Sequence, residues 1–203
     1  MRPLRDFRSH CTGMGAVARV FVTLRHLAVV ALINALPIPW HEIMGHGLVG
    51  VICGGTVTKF QLFGWQFLPE FKWTGTAEGL GVCDHVGIQS QTCMHLTDLA
   101  GCMSTFLVAV VAAWLLWKFR PRGVKLTALV CLSVWCLDIV TSTLPSFGLR
   151  RYIWSGTRYS EPYQAAVALG VPGPLFQILV LTGFLTVAVL VGLALGRPRF
   201  GSR

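Results

Sequence analysis

Charged residues are scarce in this sequence. They make up 12% of its 203 residues, and 8 residues in all are Asp or Glu. An ordinary soluble domain carries about a quarter charged residues, and a chain with 54% hydrophobic residues cannot cover a soluble fold of this size with polar groups. The composition therefore excludes a typical soluble enzyme and a disordered chain, and it indicates a multi-pass membrane protein that resides in the lipid bilayer.

The sequence also lacks a continuous basic stripe and any nucleic-acid-binding motif. Its 17 Lys and Arg residues give a net charge of +9, but they form short clusters between long apolar runs. Such clusters are typical of the cytoplasmic segments of membrane proteins, which are enriched in Lys and Arg. We therefore expect no nucleic-acid partner.

A cleavable signal peptide and a CxxC motif are likewise missing. Arg19 and Arg25 interrupt the apolar stretch that follows the basic N-terminus, so a signal peptide is not expected. Of the seven cysteines, Cys83 and Cys93 flank a polar segment. They could form a disulfide if that segment faces an oxidising compartment, or they could remain free thiols.

Four apolar runs are long enough to cross a bilayer as helices. The first covers residues 27–53, with a kink at Pro37 and Pro39. An alternative places the first helix over residues 16–37 and makes residues 40–53 a separate helix. The other three runs cover residues 96–119, 124–147 and 174–195.

The segment after the first run has a different pattern. Residues 56–67 follow Gly54-Gly55, partly alternate polar with apolar residues, and are rich in β-branched and aromatic side chains. We therefore predict an all-α integral membrane protein with about four transmembrane helices and a small β-hairpin-like element after the first. The predicted organisation is a basic cytoplasmic leader (1–26), a single membrane-embedded domain (27–196) and a basic cytoplasmic tail (197–203).

The distribution of basic residues predicts the orientation in the membrane. Lys and Arg are more frequent in the leader, in the turn at residues 118–125 and in the tail than in residues 54–95 and 148–173. Because segments rich in Lys and Arg stay on the cytoplasmic side, we expect a multi-pass protein of the cell membrane with both termini in the cytoplasm.

A group of ionisable residues lies inside the first apolar run, in the sequence His41-Glu42-Ile43-Met44-Gly45-His46. Ionisable side chains at membrane depth are costly and indicate function. Two histidines with an adjacent Glu form the zinc-hydrolase pattern, in which the imidazoles bind the metal and the Glu takes a proton from the attacking water. The sequence therefore predicts a Zn²⁺ cofactor, His41 and His46 as ligands, and Glu42 as the catalytic general base.

The spacing of the two histidines departs from the common HExxH motif by one residue. On a regular helix, residues five apart point about 140° away from each other, so His41 and His46 would not reach one ion. A one-residue π-bulge restores the convergence, and such bulges occur at functional sites. Gly45 lies where the backbone has to adjust.

The HExxGH sextet resembles the motif of the dipeptidyl peptidase III zinc peptidases. A broader resemblance is to the site-2 protease family of intramembrane zinc metalloproteases, and it covers residues 27–147. It rests on the His/Glu motif, on the Gly-rich exit Gly54-Gly55-Thr56-Val57, and on Leu99-Ala100-Gly101-Cys102-Met103-Ser104 in the next span.

That resemblance implies a third metal ligand, an Asp from a later span. Asp138 is the carboxylate inside the third predicted span, at the same depth from the inner edge as His41 in the first. Alternatively, Asp138 is a buried carboxylate that bonds to nearby hydroxyl groups (Ser133, Thr141 or Ser142). Rival ligands are His95, Asp98 and Glu161.

The predicted function is a membrane-embedded zinc metallopeptidase that cleaves a membrane protein or membrane-associated peptide. Residues 56–67 could pair with an extended substrate by strand addition. The alternative is a catalytically silent, metalloprotease-like membrane protein that acts by binding a partner. A weaker third hypothesis is a haem- or quinone-binding protein, which would need histidines on facing spans.

Overall fold

The computed structural model describes residues 16–75, 80–151 and 156–196. Residues 1–15 of the predicted leader and the predicted tail 197–203 lie outside these ranges. Within them, four helical segments are long and apolar enough to cross a membrane, as predicted, and a small antiparallel sheet follows the first.

The first membrane span is built from four consecutive helical segments, and it starts before residue 27. It consists of helix α1 (Ala16–Ala35), the short helix α2 (Pro37–Trp40), a π-helix (His41–Gly47) and helix α3 (Leu48–Ile52). The two prolines lie in the first turn of α2, where a missing N–H leaves no hydrogen bond unmade. The chain bends at Leu36, and the first helix covers nearly the residues that the alternative gave it. The helical segments on both sides of the bend nevertheless form one candidate membrane span, Val20–Ile52, rather than two separate helices.

The other helices form three more membrane spans, whose bounds agree with the predicted ones to within a few residues, and one short helix in the segment between the third and fourth spans. They are α4 (Gln91–Phe119), α5 (Val124–Ser133), α6 (Leu137–Thr143), α7 (Glu161–Ala168) and α8 (Gly173–Gly196). The 3₁₀ turn Val134–Cys136 joins α5 to α6, and a second one, Leu144–Phe147, completes the third span. Helix α4 begins before the predicted start because the Ser90 hydroxyl accepts a hydrogen bond from the Cys93 N–H at 3.4 Å.

Helix α4 is the centre of the bundle and contacts the π-helix, α5, α7 and α8. Small residues allow this close packing, since Ala109 and Ala113 are fully buried. A second contact joins the first and third spans, where the Trp135 indole N–H donates to the Ile33 carbonyl at 3.2 Å. The π-helix packs against α4 with the face that carries His41, Glu42 and His46, whereas Ile43 and Met44 on its other face are exposed.

The sheet contains the strands β1 (Thr56–Leu62), β2 (Trp65–Leu68), β3 (Lys72–Trp73) and β4 (Gly81–Val86). Their order is β3-β2-β1-β4, so β1 pairs on both sides and the free edges belong to β3 and β4. The strand addition predicted for residues 56–67 is therefore not available on β1. Among the described strands, none pairs with the outer edge of β4, and β4 contacts the π-helix.

Candidate metal centre

The π-helix brings the two motif histidines together. Its wider turn places residues five apart on one face, and the Nε2 atoms of His41 and His46 lie 3.0 Å apart. Both histidines are buried: 9% of the surface of His41 and 8% of that of His46 is exposed. The local bulge predicted from the one-residue-longer motif is present as the seven-residue π-helix His41–Gly47.

The hydrogen bonds of the two rings show which nitrogens carry lone pairs. Nδ1 of His46 donates to the backbone carbonyl of Thr97 at 2.8 Å, because a carbonyl can only accept. Nδ1 of His41 donates to the Asp138 carboxylate at 2.7 Å. In neutral imidazoles the proton on Nδ1 leaves a lone pair on Nε2. Two lone pairs therefore face each other at 3.0 Å, and they repel unless a positive ion or a proton lies between them.

This pair of nitrogens fits the geometry of a zinc site. Zn–N bonds of about 2.0–2.1 Å at a tetrahedral angle separate two ligand nitrogens by about 3.3 Å. The observed separation of the two Nε2 atoms is 3.0 Å.

Glu42 lies beside the two imidazoles. One of its carboxylate oxygens and one ring nitrogen from each of His41 and His46 lie within 4.8 Å of one another. Gly81 of β4 covers this carboxyl group so closely that a Cβ atom there would overlap it. Glu42 is thus held between the histidine pair and the sheet, within reach of a water between them.

Asp138 and His41 meet, as their equal predicted depth indicates. The Asp138 Oδ2 atom accepts from Nδ1 of His41 and, at 2.8 Å, from the hydroxyl of Thr105. The Oδ1 atom lies 3.3 Å from an Nη2 atom of Arg151. Asp138 therefore contacts the side of the His41 ring that faces away from His46.

The hydroxyl partners that the sequence suggested for Asp138 do not bond to its carboxylate. Thr141 donates to the backbone carbonyl of Asp138, and Ser133 donates to that of Leu129. The Ser142 hydroxyl makes no hydrogen bond to this carboxylate among the described contacts. The carboxylate is bound instead by Thr105 of α4 and by Arg151, neither of which is near it in sequence.

Two glycines allow the π-helix to approach α4. A Cβ atom on Gly45 would overlap the backbone of Gly101, and a Cβ atom on Gly101 would overlap the Nε2 atoms of His41 and His46. Gly101 belongs to the segment that carries the site-2 protease resemblance. Because Gly101 has no side chain, α4 can approach the two histidines closely at this position.

Replacement of Gly101 by Ala should weaken zinc binding. The added methyl group occupies the space between α4 and the two Nε2 atoms, and overpacking of this kind costs about 1–3 kcal/mol. Because 1.4 kcal/mol is tenfold in affinity, we expect the Zn²⁺ Kd to rise by about tenfold or more. Competition with a chromophoric chelator measures it.

The matched control is Gly192→Ala, in a membrane-spanning helix where no atom lies within 4 Å of the new methyl group. It should leave the Zn²⁺ Kd unchanged. An equal Kd in the two variants would show that Gly101 does not border the metal site.

The site opens into a cleft of about 870 Å³ between the helices and β4. Its described lining includes one cationic side chain, Arg151, and these carboxylates: Glu42, Asp84, Asp98, Asp138 and Glu161. A cleft with this lining carries a net negative charge when the carboxylates are ionised, which favours a cation.

Two groups at the cleft outside the spans have perturbed acidity. Burial raises the pKa of Glu161, and the negative charge of Asp98 raises it further. Burial also raises the pKa of the Cys83 thiol to about 11, with a further contribution from Glu42. The thiol therefore stays protonated at neutral pH and is a poor nucleophile.

Among the described residues, the rival ligands do not belong to the clusters of potential metal ligands around the histidine pair. His95 lies 3.9 Å from Asp98 on α4, and Glu161, at the start of α7, lines the same cleft as the histidines. Sequence reasoning missed Thr97, Thr105 and Arg151. Their contacts with the site depend on how the helices pack, so no local motif marks them; Gly101 alone lies in a segment that the resemblance singled out.

Comparison with known proteins gives one finding. A family model described as Peptidase M50B-like matches residues 14–149, more than half of the chain. No curated protein and no solved structure gives a significant match.

Proposed function

Because the chain belongs to the Peptidase M50B-like family, we propose that it is a membrane-embedded zinc metallopeptidase that cleaves a membrane-associated peptide. The family match supports the resemblance to the site-2 proteases and the assignment to a family of membrane peptidases. The observation that carries the proposal is the pair of Nε2 atoms 3.0 Å apart, beside the Glu42 carboxylate.

The proposed roles follow from the contacts of each side chain. His41 and His46 would hold the ion through Nε2. Zinc, when bound, polarises a peptide carbonyl and lowers the pKa of water to about 7. Glu42 accepts the proton of the attacking water and passes it to the leaving amine, since its carboxylate lies beside the histidine pair.

Asp138 contacts His41 at Nδ1, on the side of the ring opposite to the proposed metal-binding Nε2 atom. We propose that its carboxylate fixes the tautomer and the orientation of the His41 ring, as a carboxylate behind a metal-binding histidine does. The direct ligand role that the family resemblance implies for Asp138 stays a prediction.

Replacement of Asp138 by Asn should lower zinc occupancy. The neutral amide accepts a weaker hydrogen bond from Nδ1 of His41, and loss of such a supporting partner costs about 10–100-fold in metal affinity. The measurement is the Zn²⁺ Kd, together with the absorption spectrum of the Co²⁺-loaded protein.

The spectrum distinguishes the two roles of Asp138. A supporting role predicts weaker binding with the same Co²⁺ band positions, whereas a ligand role predicts shifted bands because a donor atom is replaced. Unchanged affinity and spectrum would contradict both.

Substrate binding is proposed at the outer edge of β4. This edge is open, and Gly81, Cys83 and Asp84 of the strand line the same cleft as Glu42. An extended peptide that pairs with β4 would have its backbone beside the catalytic carboxylate, and strand addition presents the peptide in an extended form. The lipid bilayer and a membrane-bound peptide are therefore the proposed partners.

Metal analysis of the purified full-length protein in detergent tests the proposed function. We expect about one zinc per chain, since the two histidines define one site. A protein that contains no zinc, and takes up none when Zn²⁺ is added, would overturn the proposal in favour of a partner-binding relative. A Soret band would instead identify a haem protein.

The orientation is a further proposal. The basic turn between α4 and α5 would face the cytoplasm with both termini, in the cell membrane, because Lys and Arg concentrate on the cytoplasmic side.

A further inference from the structure

The structure assigns to Arg151 a positioning role in the metal centre. We infer that Arg151 binds Oδ1 of Asp138, so that Oδ2 stays on Nδ1 of His41 and Nε2 of His41 stays turned toward His46. The inference rests on the proposed zinc site and adds a residue that neither the motif nor the family resemblance indicates.

Three groups from different parts of the chain determine the orientation of the Asp138 carboxylate. His41 lies in the first span, Thr105 in α4, and Arg151 in the segment after the third span. His41 and Thr105 both bind Oδ2, whereas Arg151 binds Oδ1. Without Arg151, the carboxylate could rotate about its bond to Cβ, and the hydrogen bond to His41 would lose its fixed geometry.

A backbone hydrogen bond anchors the segment that carries Arg151. The Arg151 N–H donates to the Thr157 carbonyl at 3.1 Å, which ties the segment after the third span to the segment before α7. Arg151 is also the one Lys or Arg in the described lining of the cleft. A buried carboxylate is costly without a positive partner, and Arg151 supplies that partner close to the metal ligands.

The neighbouring residue Arg150 offers a matched control. Its Nη1 atom donates to the carbonyl of Gly156 at 3.4 Å in an exposed position. Arg150→Gln removes the same charge from the same segment without removing a contact to Asp138. Arg151→Lys keeps the charge at the carboxylate, which binds a single Nη2 atom of the guanidinium.

The test is a double-mutant cycle on Zn²⁺ affinity, measured by chelator competition on the full-length protein in detergent. Arg151→Gln should raise the Zn²⁺ Kd about tenfold, within the range for partners of metal-binding histidines. In the Asp138→Asn background the same substitution should change the Kd less than about twofold, because Arg151 acts through the carboxylate. Arg151→Lys should restore most of the affinity, and Arg150→Gln should leave it unchanged.

Additive effects of Arg151→Gln and Asp138→Asn would overturn the inference, as would equal Kd values for Arg151→Gln and Arg150→Gln. Circular dichroism and thermal unfolding identify a variant that fails to fold, and Arg151→Lys then decides the question. If the unmodified protein binds zinc but Arg151→Gln and Arg151→Lys have the same Zn²⁺ Kd as each other, the inference alone is wrong. If the unmodified protein binds no zinc, the proposed function falls with it.

Discussion

Glu42→Gln should abolish substrate cleavage while zinc content and folding stay near normal. The amide keeps the size of the side chain and its hydrogen bonding, but it cannot accept the proton of the attacking water. Loss of a general base costs on the order of a hundredfold or more in rate. Because the natural substrate must first be found, the measurement is a comparison of membrane proteins and their fragments in cells with the unmodified protein and with Glu42→Gln.

The structure supplies the control for this comparison. Glu70 is an exposed carboxylate paired with Lys72, outside the lining of the cleft. Glu70→Gln removes one negative charge and should leave the pattern of membrane proteins unchanged. If deletion of the whole chain alters that pattern and Glu42→Gln does not, the protein acts by binding and the peptidase proposal is wrong.

His46→Ala should abolish zinc binding. The substitution removes one of the two Nε2 lone pairs and leaves His41 without its partner at 3.0 Å. Loss of a group that hydrogen-bonds to a metal-binding histidine costs about 10–100-fold in metal affinity. Loss of the histidine itself should therefore lower the affinity by more than that. His41→Ala should have the same effect, and metal analysis with chelator competition measures both.

His85 provides the matched control. It also lies along the cleft, but its ring packs against Gly50, where a Cβ atom would overlap it. His85→Ala should leave zinc binding unchanged. Full zinc content in His46→Ala, or equal losses in His46→Ala and His85→Ala, would exclude the histidine pair as the metal site.

The membrane spans follow from composition along the chain alone. A run of more than twenty apolar residues has few alternatives to a membrane helix, since lipid leaves no partners for open backbone groups. The third span was predicted as residues 124–147, and the structure has Val124–Phe147. The first span differs because an apolar run does not show where a helix begins: α1 starts at Ala16, as in the alternative, and not at the preferred boundary of residue 27.

The motif also determined part of the local backbone. Two histidines five residues apart cannot converge on a regular helix, so a shared ion requires a wider turn. The structure has that turn as a π-helix, with Gly45 packed against the backbone of Gly101. Spacing is a local property that the sequence carries by itself.

Strand order was decided by the tertiary structure. Alternation of side chains along residues 56–67 indicates a strand, but it does not show which neighbours pair with it. The structure places β1 between β2 and β4, so that the open edge near Glu42 belongs to β4. Pairing is a non-local choice that depends on the packing of the whole sheet.

The residues that complete the site were likewise decided by tertiary packing. The sequence identified His41, Glu42 and His46, because they are adjacent and their chemistry is unusual inside an apolar run. It did not identify Thr105 or Arg151, which are ordinary residues in their local context and meet only at the carboxylate of Asp138. A local motif shows which atoms can bind a metal, whereas the packing of distant segments determines which groups hold those atoms in position.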